Sequence, residues 1–157
     1  MLFQIASWIR SAKEELVLAI PADYFFVKPM SIRILVIDDS AAFRGGLREL
    51  LEAHADWEVC GEAADGMEGV EKNRLLKPRV IIMDQSMPRM SGIDAAEEIL
   101  KESPDVSILL LTLYLTNQLA QEARKIGIRA TFSKAATGHL VGGIDVLLGG
   151  QACEATS

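Results

Sequence analysis

The segment VIIMDQSMPRMSG, from Val80 to Gly92, joins a short apolar run to a carboxylate and then to a polar loop. The apolar residues have the composition of a strand that is buried on both faces. The proline and the glycine that follow are typical of a loop. Asp84 therefore stands at the end of a buried strand, where charged residues are rare, and it is the first candidate for a functional residue.

The same pattern of apolar runs and helical segments recurs on both sides of this stretch. Apolar runs predict two further buried strands and two weaker ones, at 32–38, 106–112, 56–63 and 128–134. Helical patterns lie between the strands, at 41–53, 66–76, 92–101, 117–126 and 137–148. Strict alternation of strands and helices implies right-handed crossovers between parallel strands. The sequence therefore predicts an α/β domain with a doubly wound, three-layer architecture.

Two glycines, Gly45 and Gly46, lie inside the first predicted helix. Each glycine costs a helix on the order of 1 kcal/mol relative to alanine. We expect close packing of this helix against the sheet to be the reason for both of them.

The composition of the 157 residues limits the classes of protein to consider. Half of the residues are hydrophobic and 24% are charged, which is typical of a globular domain and not of a disordered chain. The net charge of −6 argues against a broad basic surface for nucleic acid. Cys60 and Cys153 belong to no metal-binding or redox motif, and we expect no disulfide between them.

No segment of the sequence has the pattern of a membrane span. The most apolar window near the start, residues 2–20, is interrupted by Arg10, Lys13, Glu14 and Glu15, and charges of this kind are costly inside a bilayer. The window also lacks the basic region and cleavage site of a signal peptide. We therefore expect no membrane span and a cytoplasmic location.

The chain divides into an N-terminal extension at 1–30, a main domain at 31–150 and a tail at 151–157. The extension combines one apolar helix face with the linker-like segment PADYFFVKPM. Three interpretations of the extension stay open. It is an accessory helix for a partner or for self-association, or a segment that binds a membrane surface. The third interpretation is a non-native start that adds little, in which case Met30 is the alternative start of the chain. The apolar face consists of Leu2, Ile5, Ile9, Leu16 and Ile20.

Polar residues stand at the ends of four predicted strands. Asp38 and Asp39 end the first strand, Asp84 the third, Thr112 the fourth and Lys134 the fifth. In the flavodoxin-like order 2-1-3-4-5, the first and third strands are neighbours, and ligands bind beyond the carboxyl ends of the strands where the strand order reverses. We therefore expect the three carboxylates to converge on one crevice, with Thr112 and Lys134 on its far wall.

Three carboxylates in one crevice repel one another unless one is protonated or a cation lies among them. An all-oxygen site with room for water suits Mg²⁺. A carboxylate beside Mg²⁺, an ammonium group and a hydroxyl group is a suitable set for phosphoryl transfer, with the carboxylate as nucleophile. Each residue also has an ordinary interpretation, for example Asp39 or Ser40 as the cap of the first helix.

From about Ile32 to Gly150 the chain resembles a response-regulator receiver domain of two-component signalling. The resemblance lies in the motifs VIDDS, MDQSMPRMSG, LLLT and FSK. The segments VCGEAADGMEGV and HLVGGIDVLLGGQ further resemble receivers that normally precede a LuxR-type helix-turn-helix output. The resemblance implies that Asp84 takes a phosphoryl group from a sensor histidine kinase or a phosphotransfer protein, and that Thr112 and Lys134 hold this group. It also implies direct contacts of Mg²⁺ with Asp39, Asp84 and the backbone carbonyl of Ser86, and a water-mediated contact with Asp38.

The sequence differs from most receivers at two positions and in its length. Ala135 follows Lys134 where many receivers have proline, and Thr131 stands where an aromatic residue is usual, next to Phe132. The residues after Lys134 leave no room for a helix-turn-helix, so we expect no direct DNA binding.

Leu113 and Tyr114 follow Thr112, and we expect them to limit the access of water to the phosphoryl group.

The main functional hypothesis is a stand-alone receiver that is phosphorylated on Asp84 and signals by protein contact. The resemblance implies an output surface on the fourth helix, fifth strand and fifth helix, for a downstream partner or for self-association. Thr131 predicts weak coupling between phosphorylation and that surface. Two alternatives stay open: a receiver-fold binding module that works without phosphorylation, and a receiver fragment of a longer DNA-binding regulator.

An aspartate-nucleophile phosphatase is disfavoured, because the required D-x-D motif is absent and DDS stands in its place. We therefore expect no enzyme activity beyond the chain's own phosphorylation and dephosphorylation.

Overall fold

The computed structural model describes residues 31–152, which form five strands and five α-helices in strict alternation. The strands are β1 Ile32–Ile37, β2 Trp57–Ala63, β3 Val80–Asp84, β4 Ser107–Thr112 and β5 Ala130–Ser133. The helices are α1 Ala41–Glu52, α2 Gly66–Leu76, α3 Gly92–Glu102, α4 Asn117–Ile126 and α5 Leu140–Ala152. A 3₁₀ helix, Lys134–His139, connects β5 to α5.

The strands form one parallel sheet in the order β2-β1-β3-β4-β5, which confirms the predicted flavodoxin-like fold. Asp84 pairs with Leu111 across β3 and β4, and Thr112 pairs with Ser133 across β4 and β5. Because neighbouring strands end at nearly the same level, their last residues share one edge of the sheet. We call it the carboxyl edge; the opposite edge, where the strands begin, is the amino edge.

Alternate residues of each strand enter two hydrophobic cores, one on each face of the sheet. Leu35 and Ile37 belong to the core formed with α2, α3 and α4. Ile34 and Val36 belong to the core formed with α1 and α5. The strands β3 and β4 are buried over their whole length, as expected for central strands of a sheet covered on both sides.

Side-chain caps begin the helices that follow β1, β2, β3 and β4. The hydroxyl oxygen of Ser40 accepts a hydrogen bond from the backbone N–H of Phe43 at 3.3 Å, so Ser40 and not Asp39 caps α1. Such a cap contributes about 1 kcal/mol to helix stability. The other three helices have the same arrangement, with Asp65, Ser91 and Thr116 as their caps.

The last strand and the last helix are shorter at their shared connection than the sequence suggests. The strand predicted at 128–134 is confined to Ala130–Ser133, and the helix predicted at 137–148 begins only at Leu140. The intervening residues form the 3₁₀ helix, in which Ala136 has a non-helical backbone. A short 3₁₀ segment is a common connector at the end of an α-helix, and apolar periodicity does not reveal it.

The prediction that Gly45 and Gly46 allow α1 to pack closely on the sheet is wrong. Both glycines are exposed, and a Cβ atom at either position would have no atom within 4 Å. Nothing in the structure explains this pair. Close packing instead depends on other glycines: a Cβ at Gly143 of α5 would lie 2.5 Å from the ring of Phe132 on β5.

Some predictions lie outside the described residues. The N-terminal extension at 1–30 and residues 153–157 of the tail are among them, so the proposed division of the chain stays a prediction. Within 31–152, no helix combines the length and the apolar character that crossing a bilayer requires.

Candidate functional site

The three predicted carboxylates converge at the carboxyl edge. Asp38, Asp39 and Asp84 each place a carboxylate oxygen within 4.8 Å of the others. Asp38 and Asp84 are buried, with 1% and 3% of their surface exposed, whereas Asp39 is exposed. The cluster therefore has two carboxylates inside the protein and one that faces solvent.

Lys134 reaches into this cluster from the end of β5. Its Nζ atom lies 2.6 Å from Oδ2 of Asp38 and 3.2 Å from Oδ1 of Asp84. The same atom lies 4.5 Å from the centre of the Phe43 ring. The lysine side chain is only 12% exposed, so one ammonium group partly neutralises two buried carboxylates.

Burial and these ion pairs act on the acid–base equilibria of the site in opposite directions. Burial raises the pKa of Asp84, and the hydrogen bond and the positive charge of Lys134 offset this only in part, so the pKa stays above its usual value. Repulsion from Asp38 adds to the increase, and a backbone hydrogen bond from Ser86 opposes it. For Lys134, burial lowers the pKa, but hydrogen bonds and attraction from Asp38 and Asp84 outweigh it, and the pKa is raised.

Backbone contacts hold Asp84 at the sheet edge. The N–H of Gln85 donates to the carbonyl oxygen of Leu111 at 2.8 Å, which continues the β3–β4 pairing past Asp84. The carbonyl oxygen of Gln85 then accepts from the N–H of Gly92. A Cβ atom at Gly92 would lie 2.3 Å from the carbonyl oxygen of Asp84, so only glycine permits this close approach of α3 to the strand end.

Asp38 is held by both its carboxylate and its backbone. Its Oδ1 atom accepts a hydrogen bond from the N–H of Ser40 at 2.8 Å. Its carbonyl oxygen accepts one from Nη1 of Arg44 at 2.6 Å, and Arg44 is itself paired with Glu62 on β2 at 3.0 Å. The carboxylate of Asp38 is thereby fixed in the direction of Lys134.

Thr112 lies at the end of the neighbouring strand, where its hydroxyl oxygen accepts from the backbone N–H of Tyr114 at 3.2 Å. The residue is buried, and its hydroxyl proton is available for donation, because a hydroxyl group both accepts and donates. Leu113 and Tyr114 are 68% and 82% exposed. Both side chains face mainly solvent, and the expectation that they limit the access of water to the phosphoryl group stays a prediction.

Ser86 lies in the exposed loop that follows β3, two residues after Asp84, which receives its backbone hydrogen bond. The same loop contains Arg89, which has a left-handed backbone with φ of 70°. Arg89 pairs with the buried carboxylate of Asp65, the cap of α2. The loop that carries Ser86 is therefore attached to a second element of the fold.

Three contributors to the site were not predicted from the sequence: Phe43, Arg44 and the pair of Arg89 with Asp65. Phe43 and Arg44 lie in the first turn of α1, a few residues after Asp38 and Asp39. The presence of an aromatic and a cationic residue in that turn is the only signal in the sequence that could have indicated their contacts with the site. The direction of each side chain depends on the rotation of α1 against the sheet.

The donor set fits a hard divalent cation. Carboxylate oxygens are preferred ligands of Mg²⁺, which is typically bound by one or two carboxylates together with water and phosphate oxygens. Asp39 is exposed beside two buried carboxylates that are within 4.8 Å of it, so a cation there can keep part of its water shell. The net negative charge of three carboxylates and one ammonium group favours such an ion electrostatically.

Residues 34–141 match the family described as the response regulator receiver domain. The chain belongs to this family. Its members are receivers of two-component systems, which are generally phosphorylated on an aspartate and generally bind Mg²⁺. The match covers most of the residues that the structure describes, and it includes all four strand ends that carry the site.

Individual relatives agree with this assignment. The chain is 40% identical over 100 residues to chemotaxis protein CheY of Thermotoga maritima, covering 64% of this chain and 82% of that protein. It is 39% identical over 99 residues to a protein-glutamate methylesterase/protein-glutamine glutaminase of Pyrococcus abyssi, covering 63% of this chain. The crystal structure of a LuxR-family two-component response regulator from Aurantimonas superposes with a TM-score of 0.73 at 30% identity, covering 76% of this chain and 86% of that one.

These relatives differ in what accompanies the receiver. The match spans only 25% of the length of the relative that is named as a methylesterase and glutaminase. Receiver domains themselves are generally not enzymes.

Proposed function

We propose that this receiver accepts a phosphoryl group on Asp84 from a sensor histidine kinase or a phosphotransfer protein. The observation that carries the proposal is the position of Asp84. Its buried carboxylate lies at a fixed strand end, with the Lys134 ammonium 3.2 Å away and two further carboxylates within 4.8 Å. A carboxylate that lies beside an ammonium group, and that belongs to a cluster suited to a divalent cation, is well placed to attack phosphorus.

In the proposed reaction an oxygen of the Asp84 carboxylate attacks the phosphorus atom of a phosphohistidine. The phosphorus–nitrogen bond of the donor breaks and a phosphorus–oxygen bond to Asp84 forms, and the leaving histidine nitrogen keeps the electron pair. Lys134 stabilises the negative charge on the phosphoryl oxygens, and the hydroxyl of Thr112 donates to one of them. After the transfer, Asp84 is an aspartyl phosphate.

Asp39, Asp84 and the backbone carbonyl of Ser86 would hold Mg²⁺ directly, and Asp38 would act through a bound water molecule. When bound, the cation neutralises charge on the phosphoryl oxygens and on the carboxylates. Asp38 in addition anchors Lys134 through its 2.6 Å contact. This contact keeps the ammonium group of Lys134 at the edge of the cluster before the phosphoryl group arrives.

The output we propose is protein contact in the cytoplasm by a stand-alone receiver, through the surface of α4, β5 and α5. A groove of about 440 Å³ between α4 and β5 is lined in part by Thr131. Phe132 is directed to the opposite face, against Gly143, as the alternation of strand side chains requires. The surface therefore lacks a ring at the position where receivers usually have one, which favours weak coupling to phosphorylation.

A second candidate is a receiver that belongs to a longer DNA-binding regulator. The LuxR-family relative supports it, since its receiver superposes on this chain at 30% identity. In that case the chemistry at Asp84 is the same and the partner of the α4–β5–α5 surface is another domain. A binding module that works without phosphorylation is the remaining alternative, and Thr131 is the feature in its favour.

The test is to incubate the protein with acetyl phosphate and Mg²⁺ and to record its intact mass. We expect the mass of one phosphoryl group to be added, and we expect removal of Mg²⁺ by a chelator to suppress the addition. Asp84→Asn should abolish the mass gain, because an amide is a poor nucleophile.

Asp105→Asn is the matched control, since Asp105 is exposed in the turn before β4, at the amino edge. Equal labelling of Asp84→Asn and the parent protein would show that another group is the acceptor. A parent protein that takes up no phosphoryl group under these conditions would favour the binding module instead.

A further inference from the structure

We propose that Phe43 is a positioning residue for phosphoryl transfer, whose ring holds the Lys134 ammonium beside Asp84. The inference rests on the proposed function of Asp84 and adds a residue outside the acidic cluster. It starts from the distance of 4.5 Å between Nζ of Lys134 and the centre of the Phe43 ring. A cation within about 6 Å of the centre of an aromatic ring is attracted by the negative face of the ring.

The ring differs from the other two partners of Lys134 in what happens to it during the reaction. Asp38 and Asp84 are both carboxylates that a divalent cation also attracts, and Asp84 becomes an aspartyl phosphate. The lysine contacts of 2.6 Å and 3.2 Å must therefore change as the reaction proceeds. The Phe43 ring binds no metal and accepts no phosphoryl group, so its attraction for the ammonium persists through every step.

Phe43 is itself fixed in place. Its backbone N–H donates to the Ser40 cap at 3.3 Å in the first turn of α1, and its side chain packs against the core on the α1 and α5 face. The ring is therefore rigid before the phosphoryl group arrives. A rigid partner limits the conformations of the lysine side chain, whose long aliphatic chain otherwise has many rotamers.

The consequence is a division of tasks between the two phenylalanines that pack against this core. Phe43 lies against Lys134, while Phe132 lies against Gly143 of α5. Both contribute hydrophobic contacts, but among the described residues Phe43 is the one of the two whose ring faces the site. The same substitution at both positions therefore separates lysine positioning from core packing.

The experiment compares Phe43→Leu, Phe43→Tyr and Phe132→Leu with the parent protein. The rate of phosphorylation at saturating acetyl phosphate and Mg²⁺ should fall about three- to tenfold in Phe43→Leu, the range that cation–π energies correspond to. Phe43→Tyr should restore the rate, because it keeps a ring, and Phe132→Leu should retain it. The affinity for Mg²⁺ should be the same in all four proteins.

A second measurement requires no phosphodonor. Nuclear Overhauser contacts between the Phe43 ring protons and the ε-protons of Lys134 should be present in the parent, and the ring-current shift of those ε-protons should disappear in Phe43→Leu. Missing contacts in the parent would overturn the inference, even where a variant does not fold. So would an unchanged phosphorylation rate in Phe43→Leu, an equal loss in Phe132→Leu, or no recovery in Phe43→Tyr.

These outcomes separate the two proposals. A parent protein that is not phosphorylated on Asp84 contradicts the proposed function, and with it any role of Phe43 in the transfer. A parent that is phosphorylated normally, with a Phe43→Leu variant of equal rate, contradicts only the role of Phe43.

Discussion

The two edges of the sheet carry their charges in opposite ways. At the carboxyl edge, Asp38 and Asp84 are buried and Lys134 is mostly buried. At the amino edge, basic residues stand at or just before the starts of three strands, and all three are exposed: Arg33, Arg79 and Arg129. The same sheet therefore leaves these arginines in contact with water at one edge and, apart from the exposed Asp39, removes the site's charges from water at the other.

Cavity size does not identify the functional edge. A groove of about 780 Å³ lies at the amino edge, and its lining includes Arg74 and Glu102, which pair with each other at 2.5 Å. Exposed ion pairs of this kind contribute little, typically 0 to about 1 kcal/mol. Burying charge costs free energy that an ion pair often fails to recover. The buried Asp84 and Lys134, whose pKa values are raised, therefore mark the proposed site better than volume does.

Removing the lysine should give the largest change in stability. Lys134→Met leaves two buried carboxylates without a cation, and loss of one partner of a buried pair typically costs about 3 kcal/mol or more. We expect a clearly lower midpoint of urea unfolding at pH 7 in the presence of a chelator, with a difference that narrows when Mg²⁺ is added. An unchanged midpoint would mean that the buried carboxylates of the carboxyl edge need no neighbouring cation for stability, and would contradict the contrast between the two edges.

The exposed carboxylate of the cluster should affect metal binding more than folding. Asp39→Ala should weaken Mg²⁺ binding about tenfold or more, as loss of groups that support metal sites commonly does, with little change in stability because Asp39 is exposed. A Mg²⁺ titration monitored by NMR, with Asp56→Ala as the exposed control, measures this. Normal binding by Asp39→Ala would remove Asp39 from the proposed ligands.

The raised pKa of Asp84 predicts a pH dependence of a defined sign. A carboxyl group with a higher pKa in the folded than in the unfolded state binds more protons when folded, so its contribution to stability decreases as the pH rises. Without divalent cations, Asp84→Asn should therefore be more stable than the parent at pH 7, by about 1 kcal/mol or a few degrees in melting temperature.

That difference should shrink as the pH is lowered through the raised folded-state pKa of Asp84, and it should vanish below the unfolded-state pKa of aspartate, near 4. Thermal melts at a series of pH values measure it. An Asp84→Asn variant that is less stable than the parent at pH 7, with a deficit that disappears toward low pH, would show that the pairing with Lys134, and not burial, dominates the energetics of Asp84.

The smallest effect is expected at the amino edge. Arg129→Gln replaces an exposed cation at the start of β5, and surface substitutions usually change stability by less than about 0.5 kcal/mol. Stability, Mg²⁺ affinity and phosphorylation should all stay close to the parent values. A large loss in any of the three would show that the two edges are coupled through the sheet.

The sequence was sufficient for the fold and for the convergence of the acidic residues. Apolar runs locate buried strands, and in a parallel sheet with this order the last residues of β1 and β3 must be neighbours. The apolar runs, together with this strand order, therefore predict that Asp38, Asp39 and Asp84 lie together. Lys134 follows from the same reasoning, because it directly follows β5.

The contacts made by helices could not be predicted in the same way. Phe43 reaches Lys134 only because α1 has a particular rotation about its axis, which small changes in core packing determine. The start of α5 was missed because the 3₁₀ segment before it has no distinct pattern in the sequence. The exposure of Leu113 and Tyr114 was missed for a related reason, since a loop has no periodicity from which to infer direction.

The exposed glycine pair of α1 leaves the domain with stability in reserve. Alanine at Gly45 or Gly46 meets open space and would add on the order of 1 kcal/mol from helix propensity alone. Neither position contacts the acidic cluster, so the domain can be made more robust without altering its chemistry. An engineer who needs a thermostable receiver as a sensor component, or a longer-lived sample for spectroscopy, has two neighbouring positions at which to start.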